Sequence, residues 1–151
     1  MTVYLASPFF NDKERVIKAQ VKAHLEQAGI AVIDPQGGGN PMSWEQNNNQ
    51  WGNKIFKKDL DRIYEADKVI AIDWGLYGDC GTAWEIGYAY GMGKRILVIV
   101  PDEKLYTPHS LMVANGCDNF VSVSRFLATE DVNTLINNAD KPHFLLGVEQ
   151  K

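Results

Sequence analysis

Five consecutive apolar residues, Ile96-Leu97-Val98-Ile99-Val100, constrain the fold more than any other stretch of this chain. The run is too short for a buried helix and shows no polar alternation. Both of its faces must be covered, as in a central strand of a parallel sheet. The flanking sequence agrees. Val3-Tyr4-Leu5-Ala6 and residues 30–33, 68–72 and 120–123 read as four more short strands. Helical patterns lie between them. Asn11, with Glu14 three residues later, forms an N-cap pair. Ile17, Val21, Leu25 and Ala28 follow at helical spacing, and Gly29 ends the run. Phe56, Leu60 and Ile63 mark a second helix over residues 54–66. A third is expected over 81–93, a short one over 111–114 and a last one over 129–139. Strands alternating with helices predict a doubly wound α/β sandwich around a five-stranded, mainly parallel sheet. Ligands in such folds bind beyond the carboxyl ends of the strands. That directs attention to residues 7–10, 34–36, 73–81 and 101–112.

The 151 residues suit one domain, 1–151, without internal repeats. Net charge is −4, and Lys and Arg gather into no stripe, so nucleic-acid polymers and anionic membranes are not expected partners. Cys80 and Cys117 lie far apart without metal-ligand spacing and read as reduced thiols. The opening MTVYLASPFF has no basic segment and soon meets Pro8, unlike a signal peptide. No apolar run approaches the roughly 20 residues of a membrane span. A cytoplasmic location is expected. Residues 36–53 make a long connection holding Trp44 and Trp51, read here as a partly ordered lid, with a mobile surface loop as the alternative.

The stretch Gly78-Asp79-Cys80-Gly81-Thr82-Ala83-Trp84-Glu85-Ile86-Gly87 leads from the third strand into the next helix. Gly81 is expected to permit a tight turn, and Gly87 close helix packing. Glu85 is expected in the first helical turn, where backbone N–H groups favour its ionised form. An ionised carboxylate in a cleft can attack an anomeric carbon. Thr82 to Glu85 equally fits a capping box, in which Glu85 would only bond the Thr82 backbone. Asp79, six residues upstream, and Asp59, beside the apolar stripe of the second helix, add two carboxylates. An ion pair with Lys57, Lys58 or Arg62 is the alternative for Asp59. Glycosidic chemistry uses two carboxyl groups in different roles, and the cluster suits it better than metal or acyl chemistry. His24, His109 and His143 are dispersed, and only His109 lies on a strand-edge loop. Gly37-Gly38-Gly39 lacks a phosphate-binding frame. Phe9, Phe10, Trp44 and Trp51 offer aromatic surface for a planar heterocycle.

From Tyr4 to about Met112, these residues resemble the nucleoside 2-deoxyribosyltransferase family. The likeness is carried by Tyr4-Leu5-Ala6-Ser7-Pro8-Phe9, by Lys58-Asp59-Leu60, by Asp79-x-Gly81-Thr82-x-x-Glu85-x-Gly87 and by Leu111-Met112. The resemblance implies a flavodoxin-like sandwich and a metal-free, cofactor-free ping-pong transfer with retention. In it Glu85 attacks C1′ of a 2′-deoxynucleoside, and a second nucleobase then takes the sugar. Tyr4 would hydrogen-bond and orient Glu85, Asp59 would handle the base proton, and Asp79 would hold the sugar hydroxyls. Phe9 and Gln36 would border the base. Met112 would enter the site of a neighbouring subunit in a homo-oligomer, a hexamer or a dimer. Ser110 stands where the family usually carries Asn, which reaches the 5′-hydroxyl. Residues 142–151 also diverge. Two other activities fit the same residues. One is a deoxynucleoside N-glycosidase, with water as acceptor, and the other a nucleoside-binding module without catalysis. Base preference is not legible in the sequence.

Overall fold

A computed structural model of the chain describes residues 1–37 and 48–138. The elements follow in the order β1 (Thr2–Ala6), α1 (Asp12–Gln27), β2 (Ala31–Ile33), α2 (Asn48–Glu65), β3 (Lys68–Ile72), α3 (Cys80–Gly91) and β4 (Arg95–Val100). A single 3-10 turn (Asp102–Lys104), α4 (Leu111–Asn115), β5 (Asn119–Ser122), α5 (Val123–Ala128) and α6 (Val132–Asn137) complete them. The five strands form one all-parallel sheet ordered β2-β1-β3-β4-β5. This is the expected doubly wound α/β fold. Its strand order reverses between β1 and β3, where such sheets open a crevice for a ligand.

Successive strand residues point to opposite faces, so each strand feeds two cores. Val3, Leu5, Ile70, Ile72, Leu97 and Ile99 pack with Val21 and Leu25 of α1 and with Phe126, Leu135 and Ile136 of α5 and α6. Tyr4, Ala6, Val69, Ala71, Val98 and Val100 pack on the other face with Ile63 of α2, Ile86 and Ala89 of α3, and Val113 of α4. The alternation along β1 thus turns Tyr4 towards α2 and α3. The apolar run of β4 is buried on both faces, as its composition requires.

Several boundaries differ from expectation. Helix α1 starts with the anticipated capping box: Asn11 accepts from the Glu14 backbone, and Glu14 reaches back. Gly29 beyond its end adopts φ +75°, a conformation that glycine tolerates. Helix α2 begins at Asn48, so Trp51 sits on a helix and not in a loop. Residues 38–47 of the expected lid, Trp44 among them, lie outside the described residues, as do His143 and the divergent residues 142–151. The helix expected over 129–139 starts only at Val132, where Asp131 caps it, and a further short helix, Val123–Ala128, stands where none was expected. No described helix is long and apolar enough to cross a membrane.

Candidate active site

Helix α3 settles what Glu85 does locally. Asp79, not Thr82, is the N-cap: its Oδ2 accepts from the Thr82 backbone at 2.7 Å and from Thr82 Oγ1 at 2.8 Å. Glu85 therefore lies beyond the first turn of the helix and its free N–H groups, and it caps nothing. The expectation that the helix terminus favours its ionised form is overturned. Burial instead pushes Glu85 up to about 7 from its ordinary 4.5. Tyr4 pulls it back, Asp59 and Asp79 push it further, and the Lys18 ammonium lowers it. Side chains from β1, α1, α2 and the start of α3 thus act on one carboxylate.

Tyr4 is fully buried beside Glu85, and its hydroxyl is shifted well upward by burial and then by the Glu85 and Asp59 charges. The two groups are near enough to influence one another, but the geometry of the expected hydrogen bond is not met in this state. The Tyr4 hydroxyl and Glu85 Oε2 are both enclosed without a partner among the described residues. Enclosed polar atoms such as these ordinarily find a partner.

Asp59 and Glu85 line one cleft of about 290 Å³ between α2 and α3. Phe56, Leu60, Ile63 and Trp84 form its apolar wall. Phe56 and Trp84 meet edge to face with centroids 5.4 Å apart. Burial raises Asp59, while Arg62 and Lys58 lower it. Arg62 Nη1 stands 3.7 Å from Asp59 Oδ1 and donates to the Pro35 carbonyl at 3.0 Å. The ion-pair alternative and the cleft position both hold for Asp59. Asp79 uses only Oδ2 in capping, so its Oδ1 has no hydrogen-bond partner among the described residues.

The remaining predicted residues separate into two groups. Phe9 is 40% exposed, and Phe10 leans on it at 4.7 Å. Gln36 lies in the turn after β2 and accepts from Lys18 Nζ, which also sits 5.6 Å from the Phe9 ring centroid. Ser110 and Met112 do not line the Glu85 cleft. They line a separate groove of about 320 Å³, with Ile86, Gly87 and Tyr90. Met112 is 82% exposed there. Gly87 does not serve close packing as expected: a Cβ added to it would meet nothing within 4 Å, and the residue opens this groove. Gly81 is held by proximity, since a Cβ would stand 3.2 Å from Asp79 Oδ2. His109 is buried, with Nδ1 2.9 Å from Asp73 Oδ2 and Nε2 2.9 Å from the Lys104 carbonyl. It anchors the segment before α4.

Sequence reasoning passed over Lys18, Phe56 and Trp84 as site residues. Lys18 was detectable. It occupies the buried face of α1 with Val21 and Leu25, where a lysine is anomalous unless paired.

Fold and site together define a doubly wound α/β protein with a half-buried carboxylate cluster at its sheet edge. The chain belongs to the nucleoside 2-deoxyribosyltransferase family, whose model matches residues 3–143. It is similar to a nucleoside deoxyribosyltransferase of Lactobacillus johnsonii, 32% identical over 84 residues, 56% of each protein. The chain thus spans little more than half the length of that relative. A Thermofilum pendens protein named for 2′-deoxynucleoside 5′-phosphate N-hydrolase activity is 26% identical over 93% of both chains. Among solved structures, a 2-deoxyribosyltransferase from Bacillus psychrosaccharolyticus is 29% identical over 91% of both chains, with a TM-score of 0.72.

Proposed function

We propose that the chain transfers the 2-deoxyribosyl group of a 2′-deoxynucleoside to an acceptor nucleobase through a covalent Glu85 intermediate. The carrying observation is the Glu85 carboxylate, buried without a full set of partners in a cleft it shares with Asp59. Ionised Glu85 attacks C1′, and the C1′–N bond breaks with its electron pair leaving on the base. Asp59, which burial holds towards its protonated form, donates the proton that the leaving nitrogen needs. A second base then attacks C1′, expels the Glu85 carboxylate and returns a proton to Asp59. Two inversions give retention. The Tyr4 hydroxyl orients Glu85 once substrate closes the cleft, and Asp79 Oδ1 takes a sugar hydroxyl. Phe9 and Gln36 border the base. Ser110 and Met112, which do not line the Glu85 cleft of their own chain, reach the site of an adjoining copy in a homo-oligomer.

Incubating a deoxynucleoside with and without a second base tests the reaction. Transfer requires that base exchange outpace sugar release. Release that is equally fast without an acceptor would sink the transferase and leave the hydrolase. The hydrolase is the second reading, supported by the relative named for N-hydrolase activity that aligns along 93% of the chain. Mass spectrometry of the denatured enzyme after rapid mixing should find deoxyribose on Glu85 in either case.

A further inference from the structure

We propose that Lys18 is a positioning residue: it locks the Gln36 carboxamide with its amino group outward, so that the site reads a base edge rich in hydrogen-bond acceptors. This rests on the function proposed above and names the bases it would favour.

Lys18 is only 6% exposed. Its ammonium lies 2.7 Å from Asp34 Oδ1 and donates to Gln36 Oε1 at 2.6 Å. Asp34 also fixes the backbone at this turn. Its Oδ1 accepts from the Gln36 backbone N–H at 3.0 Å, and its carbonyl accepts from Gly37 at 3.0 Å. Lys22 adds a weaker contact to Asp34 Oδ2 at 3.6 Å. Backbone and side chain of Gln36 thus hang on one buried ion pair.

An ammonium has three N–H donors and no acceptor. Only the oxygen of a carboxamide can face it. Flipping the amide would set donor against donor beside a buried charge and forfeit a short charge-assisted bond. With Oε1 held inward, Nε2 and its two N–H donors turn away from Lys18, and they have no partner among the described residues. The half-exposed Phe9 ring flanks the same ammonium. A base stacked on Phe9 would meet the outward donors of Gln36 at its edge.

A 6-oxopurine offers two acceptors there, O6 and N7. A 6-aminopurine offers N7 but opposes an N–H₂ donor to the amide donors. Thymine and uracil stand to cytosine in the same way, through O4 against N4. Oxo bases should therefore be preferred by about tenfold or more, the scale of one well-placed polar match.

The experiment compares kcat/KM for N-glycosidic cleavage of 2′-deoxyinosine and 2′-deoxyadenosine in the unaltered protein and in Gln36→Glu and Lys18→Met. The unaltered protein should favour deoxyinosine. Gln36→Glu keeps one oxygen on Lys18 and turns a second acceptor outward, so the ratio should invert. Lys18→Met frees the amide to rotate, so the ratio should fall towards one. An unaltered ratio near one overturns the proposal. So does a folded Gln36→Glu that keeps the original preference. Because Lys18→Met leaves Asp34 poorly paired and risks unfolding, Gln36→Glu is the deciding variant. If neither of these nor thymidine and 2′-deoxycytidine is cleaved, the proposed function fails instead. Calorimetric binding of hypoxanthine against adenine then decides the amide orientation by itself, and equal affinities would refute it.

Discussion

Glu85 is held in a state that works against the fold. Its carboxyl is raised to about 7 chiefly by burial, so the folded chain binds its proton more tightly than the unfolded chain does. The favourable contribution of this group is whole below about pH 4.5 and is lost as pH rises through about 7. The difference is on the order of 3 kcal/mol. Replacing Glu85 by Gln removes the charge and should raise the melting temperature at pH 8 by several degrees, with a much smaller gain at pH 5. Thermal unfolding followed by circular dichroism at the two pH values checks this. The same residue should show the reverse cost in function. Glu85→Ala should remain folded and lose at least about a hundredfold in rate. Unchanged turnover in the folded variant would end its assignment as nucleophile. Because attack needs an ionised Glu85 and departure of the base needs a proton on Asp59, kcat/KM should pass through a maximum with pH, one limb lying near 7 where Glu85 titrates, since this ratio reports the free enzyme. A profile flat between pH 5 and 8 would contradict the raised carboxyl.

At the scale of the element, helix α3 carries two duties. Asp79 caps it through Oδ2, while Glu85 sits further along it and faces the cleft. Cap and sugar contact can be separated by substitution. Asp79→Ser retains an N-cap oxygen but has no second carboxylate oxygen, so stability should stay near its original value while KM for the nucleoside rises. Asp79→Ala loses both and should cost about 1 kcal/mol in addition. Chemical denaturation beside steady-state kinetics distinguishes the two variants. If Asp79→Ser were as active as the original, Asp79 would be a cap alone. Helix α2 contributes from the facing side. Its Arg62 joins the Pro35 carbonyl to Asp59, tying the turn that bears Gln36 to the helix that bears the proposed proton donor.

At the scale of the whole molecule, α3 presents large apolar side chains to solvent. Trp84 and Tyr90 are both more than half exposed, and Gly87 opens a groove beside Met112. The groove and the Glu85 cleft have different linings, so the proposed reaction would bring Ser110 and Met112 to a carboxylate of an adjoining copy. Glu85→Gln and Met112→Glu should each be inactive alone. Mixing them under conditions that exchange subunits should restore measurable activity, because some sites then combine an intact Glu85 with an intact Met112. Failure of every mixture to recover, with exchange verified by native mass spectrometry, would show that each site belongs to a single chain.

Local pattern was enough for the framework. The two-sided apolar run of β4, the Asn11–Glu14 capping box and the glycine after α1 each depend on neighbours in sequence, so the α/β alternation could be read directly. The placing of Asp59, Asp79 and Glu85 near one strand edge was likewise expected from element order, while Tyr4 entered only through the family resemblance. Other properties depend on atoms far apart in the chain. The cap on α3 required a choice between Asp79 and Thr82 that spacing leaves open, because both suit an N-cap and only the path of the preceding loop selects one. The raised Glu85 carboxyl comes from burial between β1, α2 and α3, which no local motif encodes. Lys18 could be flagged as a lysine on an apolar face, but its role depends on Asp34 and Gln36, sixteen and eighteen residues away, being folded back over it. The sequence alone picked out candidate carboxylates and the strand ends beyond which a ligand was expected. The tertiary structure decided the raised carboxyls of Glu85 and Asp59, the capping role of Asp79 and which of them share a cleft, because desolvation and Coulomb interaction depend on enclosure and distance in space.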